Sequence, residues 1–150
     1  PPPGVEIVHF LAEPECRHEY EIVSGSKRIK RLIKPDAYLL AQRDGQRWPI
    51  FIEVDRGHVS LPQMAGVFDR YMRYFEEGAF EAAYGEKQPF EVLVITSAGE
   101  RRISHLAALI NSGPIKVSFM TFAAMTSLGF FSRTWRSGAA EPAEGPWGTI

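Results

Sequence analysis

One cysteine, Cys16, stands in the 150 residues. A lone thiol excludes an internal disulfide and a thiolate-rich zinc cluster. Nothing around it has the character of an activated nucleophile, so it reads as a small buried or idle side chain. Long apolar runs are missing too: stretches such as Val92 to Ile95 fall far short of the ~20 residues that span a bilayer, and no N-terminal apolar block has the form of a signal peptide. Nor is there an excess of one charge. Seventeen basic against eighteen acidic side chains give a formal net charge of -1, so attraction to nucleic acid has to come from a local patch. The sequence lacks internal repeats, a glycine-rich phosphate loop, a nucleophile elbow and a catalytic triad. His9, His18, His58 and His105 are scattered without ligand spacing, and only His58 lies close in sequence to the acids discussed below.

What is present is the composition of an ordinary globular domain, 45% hydrophobic and 23% charged, which excludes a disordered chain. The expectation is a soluble, cytoplasmic protein with no membrane segment. It has one domain over residues 1–136, a core over about 19–121, and a flexible tail over 137–150 rich in Gly, Pro, Ala and Glu. The chain opens on Pro1-Pro2-Pro3-Gly4 without a methionine, which reads as a piece of something longer.

Periodicity leaves Val5 to Leu11 undecided between strand and helix. Glu19 to Val23 alternates as a strand, Ser24-Gly25-Ser26 is a turn, and Lys27, Arg28, Lys30, Arg31 and Lys34 then form the one concentrated basic run. Ala37 to Arg43 and Trp48 to Asp55 read as two strands joined by Asp44-Gly45, the strongest short hairpin signal. Ser60 caps a helix with Pro62 in its first turn. Leu61, Met64, Ala65, Phe68, Tyr71, Met72 and Phe75 form its apolar stripe up to Gly78, leaving Arg70 and Arg73 off it. A strand over Phe90 to Thr96, a helix over Glu100 to Asn111, a strand over Ile115 to Thr121 and a short helix to Leu128 follow. The fold class is therefore α/β with a mixed sheet: a central antiparallel hairpin with crossover helices packed on the sheet.

If Asp44 and Gly45 are the loop residues, Ala37 faces Ile52, Leu39 faces Ile50 and Ala41 faces Trp48. Continued past Ala37, the same register sets Asp36 opposite Glu53 as a non-hydrogen-bonded pair and Lys34 opposite Asp55. Facing carboxylates repel, so Lys34, Arg56 or a metal ion has to compensate. Asp36, Glu53 and Asp55 are hard oxygen ligands suited to Mg²⁺ or Mn²⁺. Lys27, Arg28, Lys30, Arg31 and Arg56 are the candidate DNA-binding residues. For the basic run the competing reading is a solvated strand edge or loop, and for Lys34 it is simple neutralisation of Asp55.

An acid opening one strand and a second in its hairpin partner, with a polar residue two positions on, resembles the PD-(D/E)xK nuclease fold, a restriction-endonuclease-like core. More specifically, Lys34-Pro35-Asp36-Ala37-Tyr38-Leu39, then Phe51-Ile52-Glu53-Val54-Asp55-Arg56-Gly57, then a helix with Tyr71 and Tyr74, resembles the replication-relaxation family over about Glu19 to Asn111. The segment starting with arginine after the next strand is matched by Arg101 or Arg102. The resemblance implies action in plasmid replication, DNA relaxation or mobilisation, with DNA and other plasmid replication or mobilisation proteins as partners. It also implies a winged-helix DNA-binding part, for which the first thirty-odd residues leave no room. Asp55 stands where active nucleases carry lysine, and an aspartate cannot polarise water as a cation does. The resemblance therefore implies Lys34 or Arg70 as the catalytic cation and Glu19 or Glu21 as a candidate further acid, the competing reading for the two glutamates being a solvated strand face. Three readings follow from the sequence: a Mg²⁺-dependent nuclease or nickase, a nuclease-like module that no longer cuts and binds DNA or a partner protein, or a pure protein-interaction domain.

Overall fold

The computed structural model describes residues 1–132 and 136–137. The expected tail, Ser137 apart, lies outside the described residues. In chain order the elements are β1 (Glu6–Ala12), β2 (His18–Ser24), β3 (Lys27–Ile33), β4 (Ala37–Arg43), β5 (Gln46–Asp55), α1 (Leu61–Glu76), α2 (Ala79–Tyr84), β6 (Glu91–Thr96), α3 (Gly99–Ala107), β7 (Lys116–Thr121), α4 (Phe122–Leu128) and β8 (Arg136–Ser137). Six strands form a mixed sheet in the order β1-β4-β5-β6-β7-β8, and β2 and β3 form a separate two-stranded ribbon. The pairs β1/β4 and β4/β5 are antiparallel, whereas β5/β6 and β6/β7 are parallel. The mixed α/β class is thus the one read from the sequence. No helix among the described residues is long and apolar enough to cross a membrane.

Local chemistry explains most of these elements. Asp44 and Gly45 both adopt positive φ, 51° and 79°, as a two-residue hairpin turn requires, and the register they impose runs from Arg43–Gln46 to Ala37–Ile52 as derived. At α1 the Ser60 side chain accepts from the Gln63 amide while the Gln63 side chain accepts from the Ser60 amide. This is a capping box that satisfies two otherwise orphaned donors. Met64, Phe68, Tyr71 and Tyr74 are the residues α1 buries.

Both faces of the sheet are covered. On one, Tyr38, Leu40, Phe51, Val92, Val94, Val117 and Phe119 pack beneath α1, α2 and α3. On the other, Leu39, Ala41, Ile50, Leu93, Ile95 and Met120 pack with Ala124 and Met125 of α4 and with Phe130 and Phe131. Alternation along β5 therefore places Phe51, Glu53 and Asp55 on the α1 side. Cys16 is buried, its thiol donating to the Pro35 carbonyl at 3.1 Å, in keeping with an idle side chain.

The structure departs from the sequence reading at several points, among them α3, which ends at Ala107 and not at Asn111. The undecided N-terminal segment is β1, an edge strand paired with β4, so the sheet begins ahead of the expected core. Beyond Gly78, where a helix end was expected, the short α2 adds Ala79 and Phe80 to the core. The hairpin register also stops at Ala37. The Asp36 amide donates to the Ile52 carbonyl at 3.1 Å, one residue out of step with the ladder. Pro35, which has no amide hydrogen and a fixed φ, stands at the point where regular pairing ends.

Candidate functional site

The broken register rearranges the acids. Asp36 is not a ladder partner of Glu53. Its carboxylate reaches along the strand end and accepts the Val54 amide at 2.7 Å. Nor does Lys34 face Asp55, because with the ladder ended at Ala37 that position of β5 has no partner on the β4 side. Asp55 instead lies beside Thr96 of the parallel strand β6. Its side chain is fully buried, and its cation comes from α3: Arg102 Nε donates to Oδ2 at 3.0 Å and Nη2 to Oδ1 at 3.1 Å. Thr96 Oγ1 donates to Oδ2 at 2.8 Å, and the Gly57 amide to Oδ1 at 3.1 Å. Burial alone raises a carboxyl pKa, but the Arg102 fork and these donors reverse the shift, so Asp55 is held below its ordinary value as an anion. Arg102 also donates to the Val59 carbonyl at 2.6 Å, tying the loop that leads into α1 to the same cluster.

Glu53, partly buried, lies in the opposite electrostatic condition. Burial pushes its pKa up from 4.5 to about 7, the nearby charge of Asp36 adds to the rise, and the Tyr71 hydrogen bond and the Arg70 charge oppose it. The Tyr71 hydroxyl donates to Glu53 Oε1. Tyr71 itself is kept protonated by burial and by the Glu53 charge, which lift its pKa well above the usual value.

Glu53 and Tyr71 form the floor of a cleft of about 520 Å³ between β3 and α1. Five cations line it: Lys30, Arg31 and Lys34 from the β3 side, Arg70 and Arg73 from α1. Arg31 is 3.6 Å from Glu77, and Arg73 is paired with Asp69. Lys30, Lys34 and Arg70 are exposed, with no ion-pair partner among the described residues. The ribbon that carries the β3 wall is fastened to α1 by Tyr20 Oη donating to Glu77 Oε2 at 2.8 Å and by a 2.7 Å hydrogen bond between His18 Nδ1 and Tyr74 Oη.

The three acids do not form the metal set expected of them. Asp36 and Glu53 remain electrostatic neighbours, but both oxygens of Asp55 are engaged by Arg102. No group of three His, Cys, Asp or Glu among the described residues is placed to hold a metal ion. The residues present therefore do not fit a three-carboxylate magnesium centre.

The candidate cations divide in the same way. Lys34 and Arg70 line the cleft with Glu53, and Lys30 and Arg31 join them from the basic run. Lys27 and Arg28 lie at the ribbon tip, where Arg28 is 3.7 Å from Glu21, and are not part of the cleft. Arg56 is exposed beyond the end of β5 and away from it. Glu19 pairs with Arg17 at 2.8 Å on the ribbon surface, and His58 is an exposed side chain; neither reaches Glu53.

Sequence reasoning missed the partners more than the acids. Tyr71 was legible only as a helix residue and Arg102 only as a motif position, because their contacts to Glu53 and Asp55 span 18 and 47 residues. The family model described as Replication-relaxation matches residues 9–88. No curated protein and no solved structure matches the chain.

Proposed function

Because the chain belongs to the replication-relaxation family, we propose that it serves plasmid replication or mobilisation as a nuclease-like module that binds DNA and does not cut it. The observation that carries this reading is the cleft, where three exposed cations, Lys30, Lys34 and Arg70, stand without ion-pair partners. Exposed cations without close ion pairs, gathered on facing walls, are the electrostatic footprint of a phosphate backbone, and they concentrate attraction that a net charge of -1 does not supply. The engagement of Asp55 by Arg102 supports the non-cutting half of the proposal. A cation bound in a buried fork neutralises the acid, which leaves it unable to serve as a second metal ligand.

The test is fluorescence anisotropy on a labelled forked DNA carrying both a duplex and single-stranded arms, combined with a nicking assay on supercoiled plasmid with Mg²⁺ or Mn²⁺. Binding is expected at 50 mM salt and is expected to weaken steeply by 200 mM. The triple variant Lys30→Gln, Lys34→Gln, Arg70→Gln is expected to lower the salt slope by about 2 to 3, with each phosphate contact contributing roughly 0.7 to 0.9. All three positions are exposed, so the variant keeps its core. Absence of binding at low salt overturns the proposal. Metal-dependent nicking that disappears in Glu53→Gln overturns its non-cutting half and restores the nuclease reading.

A further inference from the structure

The same cleft says which form of DNA it suits. Its rim and its floor differ in chemistry. Lys30, Lys34 and Arg70 are exposed at the rim, whereas Tyr71 is buried and Glu53 partly buried at the floor. Glu53 is also the one carboxylate among the lining residues. An ionised carboxylate repels a phosphate, so the backbone belongs at the rim, and the floor suits a group that donates hydrogen bonds. The ring N–H groups of guanine and thymine and the exocyclic amines of guanine, adenine and cytosine are such donors, and carboxylates accept from them. Between floor and rim the walls add Leu32, Val67 and Tyr20. These apolar and aromatic surfaces have no use for a phosphate but match the face of a base.

A duplex offers such a cleft its phosphates and sugars, because its bases are stacked and paired inside with only their edges open to the grooves. An unpaired strand offers both parts. A volume of about 520 Å³ falls within the range of cavities that enclose small organic ligands. Resting on the DNA-binding reading above, we infer that the cleft between β3 and α1 receives an unpaired nucleotide of single-stranded DNA. Its base is directed to the Glu53–Tyr71 floor, and its flanking phosphates are held by Lys30, Lys34 and Arg70.

The competing geometry uses the β2–β3 ribbon as a whole. A two-stranded ribbon fits a major groove, and in that case Lys27 and Arg28 at its tip make the contacts. Anisotropy at pH 8 and 50 mM salt separates the two, using one labelled mixed-sequence 12-mer as a single strand, as a duplex, and as a backbone in which every base is replaced by an abasic spacer. The single strand is expected to bind at least about tenfold more tightly than either of the others, the scale that a few base contacts supply. Lys34→Gln with Arg70→Gln is expected to weaken single-strand binding about tenfold, and Lys27→Gln with Arg28→Gln less than twofold. A duplex that binds as tightly as the single strand overturns the inference, as does a loss confined to the ribbon-tip variant; both leave DNA binding itself standing. Equal binding of the abasic backbone overturns the placement of the base. Failure of all three ligands to bind removes this inference and the proposal beneath it together.

Discussion

Glu53 and Asp55 sit two residues apart on one face of one strand, yet their environments drive them in opposite directions. Asp55 has a guanidinium fork and is held ionised; for Glu53 burial and the neighbouring Asp36 carboxylate outweigh the Tyr71 hydrogen bond, and its pKa rises to about 7. The signs differ in their effect on stability. Asp55, depressed in the folded state, contributes stability that is present above the ordinary carboxylate pKa and is lost as pH falls through its lowered value. Glu53 binds its proton more tightly folded than unfolded, so between pH 4.5 and about 7 rising pH removes stability, and above that range the full penalty persists. Glu53→Gln mimics the protonated form and keeps an acceptor for Tyr71. Its stability relative to wild type is expected to rise from pH 4 to pH 8, measured by urea unfolding at both. An identical difference at the two values contradicts the assignment.

At the scale of elements, Arg102 is the fastener between α3, the end of β5 and the loop leading into α1, since it grips Asp55 and the Val59 carbonyl together. Arg102→Ala leaves a buried carboxylate without its cation. Removing one member of such a pair costs about 3 kcal/mol or more, so a clear fall in the urea midpoint is expected, whereas an unchanged midpoint means that the contact is incidental. Gly57 adds a packing constraint at the same junction. It has a φ of 78°, and a Cβ built on it lies 2.8 Å from the Ala98 Cβ, so the loop after β5 and the loop before α3 approach too closely for a side chain.

Elements whose signals are local were legible in the sequence. Asp44-Gly45 fixed the hairpin and its register as far as Ala37, and Ser60 with the stripe beginning at Leu61 and Met64 fixed the start and inner face of α1. Val5 to Leu11 was not legible because a short apolar run fits a strand and a helix alike until β4 is there to pair with it. α2 was hidden by its six-residue length behind Gly78. The acids of the site were found by spacing, but their roles were not. Extending a regular ladder through Pro35 put Lys34 against Asp55, and no local pattern announces that a residue 47 positions later takes that place.

For the molecule as a whole, the family match and the folded unit have different boundaries. Residues 9–88 hold the ribbon, the hairpin, α1 and every residue that lines the cleft. The strand that pairs with the other edge of β5, β6, and Thr96 and Arg102, which hydrogen-bond and neutralise Asp55 respectively, all come later. A chain ended at residue 88 exposes β5 as an unpaired edge and removes Phe90 from the ring cluster around Phe51. Such a chain is expected to show no cooperative thermal transition by circular dichroism, in contrast to the full chain, and a sharp transition in the shorter one refutes this.

The grip of Arg102 on Asp55 therefore bears on transplantation as well as on stability. The stretch that the family model matches holds Asp55, but the counter-ion of that buried acid lies beyond it. Grafting the matched stretch alone onto another scaffold carries over a buried charge without its cation, so a working graft has to bring Arg102 with it.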